Sequence, residues 1–284
     1  MNTTPALEAA LKKDRAIVIG GLAAVIALAW LYILLGAGMG MSAFEMTAMS
    51  TPAGESEMAG ELADSKAGTM AMAAMTPAAW TLGYAVLMFF MWWIMMIAMM
   101  LPSAAPMILL FALFNRKQRE KGSPFVPSGI FAGGYIAVWG FFSLLAVAAQ
   151  WGLERTGLLS SMMIGTSIVL GGILLIAAGL WQLTPLKQAC LKHCRGPLEF
   201  MAHHWRPGRL GAFRMGLGHG AYCLGCCWFL MALLFYGGVM NLYWIAGLAA
   251  FVLLEKTVPA GHWLGQAAGL GLVAWGGLLL AGTV

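Results

Sequence analysis

The chain has 284 residues, of which 61% are hydrophobic and only 10% charged, with a mean hydropathy of +0.82. That balance excludes an ordinary soluble domain and points to an all-α, polytopic membrane helix bundle. A net charge of +5 would suggest nucleic acid in a soluble chain, but here the basic residues sit in short loops, where they report membrane orientation, and no nucleic-acid role follows.

Residues 1–15 form a cytosolic N-terminus with Lys12, Lys13 and Arg15. The apolar run 16–38 is long enough to span and exceeds the roughly 7–15-residue core of a secretory signal, so it reads as an uncleaved first transmembrane helix. Residues 39–79 turn polar and acidic, with Glu45, Glu55, Glu57, Glu61 and Asp64 against Lys66 alone, which places this Met-rich flexible loop outside. It holds Met39, Met41, Met46, Met49, Met58, Met70, Met72 and Met75. Either these thioethers capture Cu(I), or the segment lies on the membrane or covers neighbouring helices.

Residues 80–284 read as a six-helix membrane core. The second helix, 80–114, is longer than a straight span needs, and Pro102 and Pro106 supply a break. Met88, Met91, Met95 and Met99 form one stripe on it, with Met96 and Met100 alongside. Such a stripe also serves simple packing. Arg116, Lys117, Arg119 and Lys121 make a cytosolic loop. Helices three (128–151) and four (158–183) show no chemistry of their own, although Gly165, Gly171, Gly172 and Gly179 permit close helix contact.

A cytosolic Cys/His loop, 184–212, follows. Thr184 as N-cap with Pro185 behind it opens a short helix that Gly196-Pro197 ends. Cys190 and Cys194 lie one turn apart on it, and Lys187, Lys192 and Arg195 around them favour thiolate. With His193, His203 and His204 nearby this is a second donor cluster, the alternative being a solvated basic surface helix. Helix five covers 213–236 and helix six 242–254. Glu255-Lys256 marks the inner end of helix six, where Glu255 is an oxygen ligand, a proton acceptor or half of an interfacial ion pair. Helix seven, 263–280, brings the total to seven spans with an external C-terminus.

The densest chemistry is His219-Gly-Ala-Tyr-Cys-Leu-Gly-Cys-Cys-Trp228. His219, Cys223, Cys226 and Cys227 stand at i, i+4, i+7 and i+8, on about a third of a helix circumference. Imidazole and thiol groups converging in an apolar place are donors that soft metals prefer, here Cu(I), with Zn(II) as the other candidate. Cysteine as a small packing residue and a redox Cys-x-x-Cys are the competing readings. Helices two and five run in opposite directions, so Met95 to Pro106 and His219 to Cys227 fall in the same half of the membrane and can meet.

Three motifs carry a resemblance: Met95-Met-Ile-Ala-Met-Met-Leu-Pro-Ser-Ala-Ala-Pro106, Thr184-Pro-Leu-Lys-Gln-Ala-Cys-Leu-Lys-His-Cys-Arg195, and the His219–Trp228 stretch. Together, over about 80–259, they resemble a bacterial family of predicted metal-binding integral membrane proteins, which implies a multi-pass protein of the bacterial inner membrane. Met91-x-x-x-Met95 is also similar to the short Met-x-x-x-Met step of eukaryotic high-affinity copper transporters. The expected function is therefore binding of Cu(I) and its inward movement, or delivery to a cytosolic or membrane acceptor, through Met and then Cys/His sites; a protein that does this is not an enzyme. The alternatives are a thiol-disulfide or quinone oxidoreductase using Cys223 and Cys226, and an assembly subunit of a copper enzyme. The lipid bilayer is the constant partner, and a homo-oligomer stays open.

Overall fold

In the computed structural model, which describes residues 5–49, 79–120, 126–160 and 163–283, the chain is almost entirely helical. The elements are α1 (Pro5–Leu34), α2 (Ala43–Met49), α3 (Leu82–Glu120), α4 (Ser128–Arg155), α5 (Ile168–Leu183), α6 (Pro185–Arg195), α7 (Pro197–His204), α8 (Gly208–Ala232), α9 (Leu234–Gly237), α10 (Leu242–Thr257) and α11 (Gly261–Leu280). Among the described residues five helices are long and apolar enough to cross a membrane: α1, α3, α4, α8 continued into α9, and α11. The pair α5–α6 passes the same test as one span bent by 65°. The architecture is that of a multi-pass helical bundle.

Helix four comes out shorter than expected, and helix six, though three residues longer than expected, is still short of a full crossing. The chain from Leu158 does not enter helix four directly; Leu159 bridges to Gly165, and α5 begins only at Ile168, capped by the Ser167 hydroxyl, which accepts from Leu170 N at 3.2 Å. α5 and α10 have 16 residues each, about 24 Å of helix against a hydrocarbon core of about 30 Å. Pro102 and Pro106 both lie inside α3, which runs through them as one element.

Small residues decide which helices touch. A Cβ at Gly179 of α5 would meet the Gly269 carbonyl of α11 at 2.6 Å, and one at Gly276 would meet the Gly172 carbonyl at 2.8 Å. Backbones thus pack directly, as glycine faces allow within a membrane. α4 and α8 close in the same manner, with Gly134 against the backbone of Phe213 and Leu217, and Gly216 against that of Phe131 and Tyr135. α1 lies on α3 and, from Arg15 to Leu34, leaves most of its side chains outward, as expected of a lipid-facing helix.

α2 settles part of the reading of the Met-rich segment. Ser42 and Glu45 form a reciprocal capping box, with Ser42 N donating to Glu45 Oε2 at 2.7 Å and Glu45 N to Ser42 Oγ at 3.3 Å. The Ser42 amide bond holds the exposed Glu45 carboxyl below its ordinary range. Ala43, Met46 and Thr47 face inward, and Thr47 Oγ1 accepts from Leu242 N at 2.9 Å at the start of α10. This stretch covers neighbouring helices. Met58, Met70, Met72 and Met75 lie outside the described residues, as does Lys121.

At the opposite end α6 and α7 cross beneath α8. Thr184 caps α6 as expected, accepting from Lys187 N at 3.2 Å with Pro185 behind it, and Gly196 closes it. Lys187, Leu191 and Cys194 follow at i, i+4 and i+7, the face α6 presents to the bundle. Arg195 fastens its far end to the Val258 and Pro259 carbonyls at 2.6 and 2.5 Å.

Candidate metal centre

α8 carries His219, Cys223, Cys226 and Cys227 into the bundle, and all four are buried. Other helices deliver polar groups to Cys223. Tyr135 of α4 places its hydroxyl 3.0 Å from Cys223 Sγ and 3.1 Å from the Met100 carbonyl oxygen. Lys256, in the last turn of α10, sets Nζ 2.9 Å from the same sulfur and 3.1 Å from Ser103 Oγ. Its ammonium is in direct contact with the thiol sulfur, and the contact is charge-balanced when Cys223 is a thiolate.

The other two α8 thiols turn back on their own helix. Cys226 Sγ and Cys227 Sγ donate to the Cys223 carbonyl at 3.1 and 2.9 Å, the local back-bonding open to short side chains in a helix. Cys227 Sγ also lies 3.8 Å from Met100 Sδ. That contact joins the methionines of α3 to the cysteines of α8, so the two motifs do meet.

The expected second donor cluster is not separate. Cys194 lies within electrostatic range of Cys226 and Lys256. Cys190 packs over Gly225, where a Cβ would stand 2.9 Å from its Sγ, and lies within electrostatic range of Cys226. All five cysteines are free. The imidazoles of the loop stay out: His193 stacks flat on Tyr222 at 4.1 Å, His204 on Phe200 at 4.6 Å, and exposed His203 contacts the Glu199 carbonyl.

The basic residues expected to attend Cys190 and Cys194 also point elsewhere. Lys187 is fully buried and donates to Gln182 Oε1 and Glu255 Oε1. Lys192 faces Glu199 across 3.8 Å at the surface, and Arg195 is spent on backbone carbonyls. Glu255 is thus in an ion pair, as one of its expected readings had it, and its partner is Lys187 rather than a cysteine. It belongs to a buried ion pair at the α5–α6 elbow, where Gly265 leaves room for it. Its neighbour Lys256 is the residue that reaches the cysteines.

Met88, Met91, Met95, Met96, Met99 and Met100 are all buried, at no more than 1% exposure. The stripe thus forms core, and Met100 beside its C-terminal end reaches Cys227. At its N-terminal end Met88 Sδ accepts from Gln150 Nε2 at 3.5 Å. His219 stacks on Tyr135 at 5.7 Å and meets Phe200 edge-on at 5.6 Å, while its buried Nδ1 has no hydrogen-bond partner among the described residues.

Among the described residues no three of His, Cys, Asp and Glu stand ready to enclose a metal ion. The reason is visible in the hydrogen bonds: Cys226 and Cys227 are turned onto a carbonyl, and Cys223 is held by Tyr135 and Lys256. The expectation that the four α8 donors face one point holds for the helix face but not for the rotamers. Tyr135 and Ser103 carried no local signal in the sequence. Lys256 did, as a cation at the end of an apolar run.

A family model described as PpoB2, a copper chaperone, matches residues 89–279. The chain belongs to this copper chaperone family. The matched region holds all five cysteines, Lys256, Tyr135 and every methionine of the stripe except Met88; α1 and α2 precede it. No curated protein and no solved structure matches.

Proposed function

We propose that the protein is a bacterial inner-membrane copper carrier. It takes Cu(I) along the α3 methionines and gathers it on the cysteines of α8 and α6 for delivery to an acceptor on the cytosolic side. The observation that carries this reading is the 3.8 Å contact of Met100 Sδ with Cys227 Sγ, because it makes thioethers and thiols one continuous run of soft donors. Membership of the copper chaperone family favours copper over zinc, and delivery over catalysis.

The donors fit such a cargo. Rotation of Cys226 and Cys227 about χ1 frees two thiols from the Cys223 carbonyl, and His219, on one face of the same helix, has a buried Nδ1 with no partner among the described residues. Lys256 balances the charge of a Cys223 thiolate until a Cu(I) ion supplies the positive charge itself. The antiparallel ends agree with the basic-loop orientation: Trp80 at the start of α3 bonds Glu154 at the end of α4, and α6 crosses at the other end. On this reading α5 and α10 complete seven spans with their flanking turns, the N-terminus being cytosolic.

Copper content of the detergent-purified, reduced protein tests the proposal. About one or more Cu(I) per chain, lost when Cys223, Cys226 and Cys227 are all replaced by Ser, is expected. Reversible interconversion of thiol and disulfide at Cys223 and Cys226, with no bound metal, would instead identify an oxidoreductase.

A further inference from the structure

The N-terminal end of the methionine stripe meets a polar group that the functional reading does not use. Gln150 of α4 is fully buried. Its Nε2 donates at once to Met88 Sδ at 3.5 Å and to Glu154 Oε1 at 2.9 Å, while its Oε1 accepts from Trp92 Nε1 at 2.8 Å. The second carboxylate oxygen of Glu154 accepts from Trp80 Nε1 at 2.7 Å. Among the described residues no Lys or Arg pairs with Glu154; the adjacent Arg155 lies over the Trp151 ring at 5.1 Å.

A half-buried carboxylate served only by neutral N–H donors is poorly solvated and has no cationic partner, which makes it a place for a cation to bind. The amide NH2 of Gln150 bridges a thioether and a carboxylate, the position a small cation would take between a soft and a hard donor. Turning the Gln150 amide about its last bond would replace that NH2 by Oε1 and present three donors, Met88 Sδ, Glu154 Oε1 and Gln150 Oε1, to one point. The turn gives up the Trp92 contact in exchange.

We propose that Met88, Gln150 and Glu154 form a receiving site for a soft monovalent cation at the outer mouth of the methionine run. The site strips the ion of water next to a carboxylate and passes it to Met91 and the deeper thioethers. Gln150 acts as the closing group, holding the two ligands together when no ion is present. The role as a mouth rests on the copper-carrier reading; the existence of the site does not.

The test uses Ag(I), a redox-inert stand-in for Cu(I), on the full-length protein in detergent. With all five cysteines replaced by Ser, the chain is expected to retain about one more weakly held Ag(I) and to show quenching of the Trp80 and Trp92 indoles. Adding Met88→Leu or Glu154→Gln should weaken that binding by about tenfold or more and remove the quenching, and Trp92→Phe should remove part of the quenching without removing the ion. Because the cysteine-free chain could fail to fold, Glu154→Gln is also made in the otherwise native protein, where total Ag(I) should fall by about one ion while thiol-bound ions stay. Unchanged Ag(I) content and quenching in Glu154→Gln and Met88→Leu would overturn the proposal. Loss of copper binding by the cysteines, with the Glu154-dependent ion intact, would instead sink the carrier reading alone.

Discussion

Replacing Glu255 by Gln leaves the Lys187 ammonium at 0% exposure with only neutral amide oxygens to receive it and no carboxylate to balance its charge. Breaking a buried ion pair from one side costs about 3–5 kcal/mol, because the surviving charge is uncompensated. The structure supports the upper part of that range. Gln182 Nε2 and Glu255 Oε2 already lack partners among the described residues, and the glycine face of α11 at Gly261, Gly265 and Gly269 packs against Glu255 and Gln182, leaving no room for new solvation. For a chain of this size the loss corresponds to a fall in thermal midpoint of roughly 6–20 °C. Lys187→Met should cost a similar amount, whereas the double replacement Lys187→Met with Glu255→Met removes both charges and should recover most of it. The assay is thermal unfolding in detergent followed by intrinsic fluorescence and by retention of the monodisperse peak. Single variants within about 1 kcal/mol of the parent, or a double variant no better than the singles, would refute a buried pair that fastens α6 to α10.

Three further outcomes follow from the geometry. Gly216→Ala puts a methyl against the Phe131 carbonyl and 3.1 Å from Tyr135 N; it should separate α4 from α8, destabilise the fold by about 1–3 kcal/mol and increase alkylation of Cys223 by a membrane-permeant thiol reagent. Met100→Leu keeps volume and should change stability by less than about 1.5 kcal/mol, yet slow transfer of Cu(I) from donor to cysteines in stopped-flow loading. The Glu45 cap is pH-dependent in a fixed direction. Its folded pKa lies below the ordinary carboxylate value of 4.5, so its contribution to α2 is complete above that value and is lost as pH falls through the lower folded one. Amide exchange in α2 should accelerate only on that acid side, and Glu45→Gln should abolish the dependence.

The methionine stripe and the cysteine face were legible because each is a periodic pattern inside one helix: Met88, Met91, Met95 and Met99 are buried together for the same reason that they are spaced together. Their meeting was legible from opposed helix directions, and Thr184-Pro185 and Gly196 marked α6 because cap chemistry is local. What could not be read depends on contacts far apart in sequence. Glu255 and Lys256 are neighbours about 100° apart on one helix, and only the packing of α10 between α6 and α3 sends one to Lys187 and the other to Cys223. Tyr135 and Gln150 look like ordinary residues of an apolar helix until α8 and α3 lie beside them. Cys194 joined the main centre because α6 folds back under α8 at the 65° elbow, which no local pattern encodes. The short start of α5 was missed for the same reason: Leu159 and Gly165 continue the apolar run but pair with each other.

The central claim, that methionines of α3 and cysteines of α8 and α6 form one copper path, is tested most directly by sulfur-ligand spectroscopy of the Cu(I)-loaded protein. X-ray absorption at the copper edge should show an all-sulfur or sulfur-dominated first shell that loses scatterers in Cys227→Ser and rearranges in Met100→Leu. A shell of nitrogen and oxygen donors, or one indifferent to both substitutions, would contradict it.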